Sequence, residues 1–187
     1  MRQIAAVLAI VMPAVILQGI LRDGISSWLP TLVAESFSLS SAVSILSGVV
    51  LPVFSMLCLQ AAAYSSKKVI KNEMLGTAAF FGIGSAALAV LVLSGSAAVS
   101  VLAAAAAQGM MHGVNYFLIC LAPAHFSRYR CTALVSGGLN CCTYIGSAVS
   151  AWATAAISQN GGWSAVAGAW LAAALFGGVL CLCGAGL

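Results

Sequence analysis

Apolar runs of twenty residues or more follow one another along this chain with almost nothing between them. The interruptions are "SFSLS", "SSKKVIKN", "SGS", "APAHFSRYR" and "SQNGG", none longer than nine residues. A bilayer core ~30 Å thick takes about 20 apolar residues per helical crossing. The runs therefore predict six transmembrane helices, at about 4–34, 41–64, 74–93, 97–121, 132–157 and 163–187, in one all-α domain over residues 1–187. Composition agrees. Charged residues are 5% of the chain, against about 25% in a soluble domain, too few to clothe a surface facing water.

The run after Arg2 exceeds the 7–15 residues of a signal-peptide core, and no small-x-small cleavage site precedes Arg22. The first span is expected to be retained. Six of the seven basic residues (Arg2, Lys67, Lys68, Lys71, Arg128 and Arg130) fall on one side of a six-span topology, and the opposite connections hold none. Basic loops stay inside, so both termini and both basic connections are expected in the cytoplasm, and the chain reads as a multi-pass protein of the plasma membrane. The same distribution explains the net charge of +4 without nucleic acid as a partner. The expected surroundings are lipid. Tyr64 and Tyr129 would anchor the inner interface and Trp163 the outer one, while Trp28 and Trp152 read equally as outer anchors or pore-lining residues.

Seven cysteines form no CxxC pair and lie mostly in apolar runs, where Cys behaves as a small hydrophobe. No disulfide, metal or cofactor is expected. Span five carries small residues at four-residue spacing, Ser147 with Ala151 and Gly138 with Cys142 and Gly146, a pattern that lets helices approach closely in lipid.

Arg22 and Asp23 stand in the middle of the first run. An intramembrane charge points by default to a functional site, and the planar guanidinium suits phosphate or carboxylate. Gln18, Arg22 and Ser26 recur at four-residue spacing, which predicts a polar face around the arginine. Asp23, about 100° further round the helix, is expected to face a neighbouring helix or pair locally, and is a candidate to carry a coupling proton. Pro30 is expected to kink this helix without ending it. In span four, His112, Asn115 and Tyr116 share one face at i, i+3, i+4; in span five, Asn140 and Tyr144 do so at i, i+4. Gln18, Arg22, Asn115, Tyr116, Asn140 and Tyr144 are therefore candidate substrate-binding residues, with His112 and Asp23 as titratable groups. Glu73 is expected at a helix N-terminus, where the dipole favours it; Glu35 and His125 are expected to be solvated. No enzyme is expected: "VSGGLN" lacks a nucleophile-flanking GxSx pattern and no HExxH is present.

The stretch "LQGILRDGISSWLPTLVAESF" resembles the seventh helix of major facilitator superfamily transporters, closest to the organophosphate:phosphate antiporter branch. Arg22, Gly24, Trp28, Pro30 and Thr31 carry that likeness. "SGGLNCCTYIGSAVSAWATAAISQNGGW" is similar to the eleventh helix and the turn after it, and Lys67–Lys71 stand where the family has its loop between helices eight and nine. The resemblance covers the whole chain but half of the family fold. It implies that Arg22 holds the phosphate of a small anionic solute, moved across the membrane by alternating access between two six-helix halves. The N-terminal half, with its partner arginine, would be a missing segment or a partner chain. The ending "CLCGAGL", without a basic tail, reads as a truncation. Two alternatives stay open: a proton-coupled facilitator of another small anion or drug, using Asp23 or His112, and a non-transporting membrane subunit or remnant in which Arg22 serves helix pairing.

Overall fold

The computed structural model describes residues 2–186 and is helical almost throughout, with no strand among the described residues. The order is α1 (Arg2–Phe37), α2 (Ser41–Ser47), α3 (Val50–Lys68), α4 (Glu73–Leu93), α5 (Ala97–Asn115), a π-helical stretch Tyr116–Leu121, a 3-10 stretch Ala122–Tyr129, and α6 (Thr132–Gly184). Five of these stretches, Val7–Phe37, Ser44–Lys68, Glu73–Leu93, Ala97–Tyr129 and Thr132–Gly184, are long and apolar enough to cross a membrane. Hydrocarbon offers no hydrogen bonds, so a backbone inside it must satisfy its own N–H and C=O groups, as a helix does. The chain is thus built as a multi-pass membrane protein.

The helices run back and forth. Val7, Glu73, Phe126, Leu139 and Gly184 line one cavity, which brings together the starts of α1 and α4, the α5–α6 connection and the end of α6. Phe37, Leu91, Ser100 and Trp163 line another at the opposite end. α6 must therefore turn back on itself. It does so at Gly162, whose φ of 70° and ψ of −175° lie in a region only glycine occupies readily. The first arm of α6 runs parallel to α1 and the second returns antiparallel to it.

Three expectations need correction. The expected connection at 158–162 is helical up to 161 and breaks at Gly162 alone. The expected loop at 122–130 is mostly 3-10 helix. The expected second span, 41–64, is broken at Gly48–Val49 and runs on to Lys68. Pro52 explains that break: its ring excludes the carbonyl of residue 48 from an α-helical bond, and the Gly48 carbonyl instead accepts from Leu51 at 3.2 Å. Pro30, as expected, lies inside a helix that continues to Phe37, as does Pro13. The sixth expected span ends on Leu187, outside the described residues.

α1 packs most extensively against α6. The seam is set by glycine. A Cβ on Gly19 would strike the Thr143 carbonyl, and one on Gly146 would strike the Ile16 carbonyl, so the two backbones touch without intervening side chains. The packed stripe of the first arm is Leu139, Cys142, Thr143, Gly146, Ser150 and Thr154. Gly138, expected in it, faces open space, and Ala151 is exposed. Elsewhere aromatic rings seat on glycines: Phe80 on Gly113, Phe117 on Gly76 and Phe81 on Gly177. These contacts fasten α4 to α5, to the π-helical stretch and to the second arm of α6.

Gly146→Leu should separate α1 from α6. A fall of several degrees in the thermal midpoint of the detergent-solubilised protein is expected, as overpacking costs about 1–3 kcal/mol. Gly138→Ala, in open space, should leave the midpoint unchanged or raise it slightly.

Candidate functional site

Arg22 lies deep within α1, 20 residues from its start at Arg2 and 15 from its end at Phe37 (22 − 2 and 37 − 22). At 1.5 Å per residue the nearer end is ~22 Å away, beyond the reach of a snorkelling side chain. The guanidinium is instead met by its neighbour. Nε donates to Asp23 Oδ1 at 2.7 Å and an Nη donates to Oδ2 at 2.9 Å, forming a two-point ion pair with side-chain exposures of 18% and 27%. Of the two readings for Asp23, local pairing is the one observed. Two of the five guanidinium N–H groups are engaged; three stay available.

Around this pair stand groups from three other segments. Ser147, on the first arm of α6, and His112, on α5, lie close to the Asp23 carboxylate, and His112 is also near Arg22. A Cβ on Gly24 would meet the Ser150 hydroxyl, and the Trp170 indole nitrogen would stand 3.4 Å from it. The glycine two residues after the arginine thus lets both arms of α6 close on α1 beside the charges. Asn140 and Tyr144 share a face with Ser147 at i, i+4, i+7. Both are exposed, Tyr144 by 68%. Asn115 and Tyr116 are half-buried, with Tyr116 edge-on to Phe117 at 6.0 Å.

Gln18 departs from expectation. It is fully buried between α1 and α5, where its amide donates to the Met111 carbonyl at 3.3 Å, and its Oε1 has no partner. The predicted face of Gln18, Arg22 and Ser26 fails for a geometric reason. Four residues turn an α-helix by 400°, so each step of a four-residue stripe drifts 40°. The stripe passes from the interior at Gln18, through half-burial at Arg22, to full exposure at Ser26.

Sequence reasoning missed the polar chain that holds His112. Gln108, four residues earlier and buried, places its Nε2 3.1 Å from His112 Nε2, and its Oε1 lies 2.8 Å from the Ser55 hydroxyl of α3. Ser55 also donates to the Leu51 carbonyl at 2.8 Å, which gives one hydroxyl proton two acceptors. Turning the isosteric amide over resolves this: Ser55 then accepts from the amide nitrogen, and the amide oxygen accepts from His112. The spacing of Gln108 to His112 was the available signal. Glu35 and His125 are exposed, as expected, and each also meets a distant partner. Trp163 Nε1 donates to Glu35 Oε2 at 2.7 Å while its ring leans on Trp28, centroids 6.1 Å apart. His125 Nε2 meets Glu73 Oε1 at 2.9 Å. Glu73 does open α4, capped by Asn72, whose side chain accepts from the backbone of Met74 and Leu75. Trp152 is 74% exposed.

The chain matches no protein-family model, no curated protein and no solved structure.

Chemically, the site offers a cation deep in the bundle, a neutralising carboxylate, and an imidazole and a serine hydroxyl beside them. An anion drawn to the guanidinium would compete with Asp23. The buried amides make a prediction that separates site from scaffold. Gln108→Leu strands His112 and Ser55 and should cost about 1–3 kcal/mol of stability. Gln18→Leu removes an unpartnered buried oxygen and should be neutral or stabilising. Thermal unfolding of both variants in detergent reads the contrast.

Proposed function

We propose that this chain is the C-terminal six-helix half of a secondary active transporter of the major facilitator superfamily, nearest the organophosphate:phosphate antiporters. On this reading it moves a small anionic solute, an organophosphate or phosphate, across the plasma membrane by alternating access. The observation that carries the reading is Arg22, a half-buried arginine deep inside an apolar helix, with three donors not engaged by Asp23. A charge so placed cannot face hydrocarbon. Something covers it, and a second six-helix half enclosing an aqueous cavity does so while giving the arginine a ligand.

The two arms of α6 count as separate crossings in this proposal, which makes six. Lys67, Lys68, Lys71, Arg128 and Arg130 cluster toward the end of the bundle where both chain ends lie, and the charge rule sets that end in the cytoplasm. Asn115, Tyr116, Asn140 and Tyr144 line the cavity beside Arg22, and Gln18 supports it from behind. No bond is made or broken in the solute, so the protein is not an enzyme.

The ion pair itself favours a second reading. An arginine already neutralised by Asp23 can serve helix packing alone, in a non-transporting subunit. Substitution decides. Arg22→Lys keeps the charge and loses the fork, and should slow counterflow of labelled glycerol phosphate in proteoliposomes ten- to a hundredfold, as hydrogen bonds to charged groups are worth about 1.5–3 kcal/mol. Asp23→Asn removes the competing carboxylate and should tighten apparent anion affinity roughly tenfold, on the same scale. Unchanged transport in Arg22→Lys overturns the assigned role. Loss of transport in Asp23→Asn, with anion binding kept, assigns Asp23 a coupling proton and favours a proton-coupled facilitator. Absence of any anion effect on the melting temperature favours the packing role.

A further inference from the structure

About 16 Å along α1 from Arg22 (11 residues from Val11) lies a cavity of about 570 Å³ that the transport reading does not use. Its position is informative. Glu73, Tyr129 and Gly184 line it, and each is the first or last residue of one of the stretches long and apolar enough to cross a membrane. The cavity therefore sits where hydrocarbon gives way to headgroups. Its inner wall is apolar, with Val11, Met74, Phe126 and Leu139, and its rim carries Lys71 and Arg128. Among the described residues neither cation has a carboxylate within 4.0 Å, because Glu73, the one acid on the rim, is taken by His125. Arg128 is braced over the Tyr129 ring at 4.8 Å, which holds its charge near the opening. Lys67, Lys68 and Arg130 add positive charge nearby in sequence.

We propose that this cavity binds an anionic phospholipid, with the headgroup phosphate between Lys71 and Arg128 and part of an acyl chain on the wall of Val11, Met74, Phe126 and Leu139. Basic pockets between helices at the cytoplasmic interface recognise lipid phosphates in this manner, and an apolar chamber beside the cations distinguishes a lipid from a small soluble phosphate. Five segments of the fold meet here: α1, α4, the 3-10 stretch and both arms of α6. A bound lipid would pin them together at one end.

The test uses full-length protein extracted from its own membranes and examined by native mass spectrometry with added lipid. Phosphatidylglycerol should be retained at least tenfold more than phosphatidylcholine. Lys71→Gln with Arg128→Gln should lower that retention about tenfold, while Lys67→Gln with Lys68→Gln, an equal charge change outside the cavity, should keep it within twofold. Equal retention of the two lipids, or equal loss in both double variants, overturns the proposal. Displacement of the lipid by millimolar glycerol phosphate that itself binds through Lys71 and Arg128 also overturns it, in favour of a soluble phosphate. Phe126→Trp gives a second readout that keeps the cations intact: its added fluorescence should be quenched by phosphatidylglycerol with brominated chains and not by the brominated phosphatidylcholine. No added quenching overturns the acyl-chain placement.

Discussion

The backbone contact between α1 and the first arm of α6 organises the rest of the molecule. Lipid tails are as apolar as leucine, so helices in a membrane gain little by merely burying leucines against each other; they associate by close packing and hydrogen bonds. Gly19 and Gly146 provide that closeness reciprocally, each against a carbonyl of the facing helix. With this seam fixed, the reversal at Gly162 carries the second arm back along α1. Trp163 then reaches Trp28 and Glu35 at one end, and Gly184 reaches Ile10 at the other. α1 becomes an axis, and Arg22 and Asp23 within it stand beside polar groups of α5 and α6.

That placement explains why the arginine is paired and not buried outright. A fully enclosed Arg–Asp pair loses more hydration than it regains unless every remaining donor is satisfied. Here both side chains keep part of their surface. The buried Gln108 is neutral and links the half-buried Ser55 to His112. Charge stays near the accessible face while neutral hydrogen bonds tie the interior. His112 sits at the junction, half-buried, joined to the neutral chain on one side and near the charged pair on the other.

Much of the helix layout was legible because hydrophobic run length in a membrane chain leaves few alternatives. The candidate site was legible in part. Arg22 and Asp23 announce themselves as charges in an apolar run, and their mutual pairing follows from adjacency. The inward turn of Gln18 was hidden, since a four-residue stripe holds to one face over a single turn and drifts over two. Breaks were harder still. Pro52 disrupts its helix while Pro13 and Pro30 do not, and the difference lies in the bonding of the preceding turn, which no local pattern records. Glu35 and His125 looked like loop residues because their partners, Trp163 and Glu73, are 128 and 52 positions away. Long-range pairing of that kind is a product of topology.

The two ends of the bundle differ in what they present. At one, a tryptophan pair and a neutral indole–carboxylate bond close the helices together, with no basic residue in the connections. At the other, a cavity stands open among basic residues whose only acid is already engaged. The chemistry of the two ends is divided in range as well as in kind. Aromatic stacking and a short hydrogen bond act over contact distance and hold geometry. Exposed lysines and arginines act over about a Debye length and attract phosphate from a distance. Between the two ends stands Arg22, neutralised by its neighbour, with part of its surface still accessible.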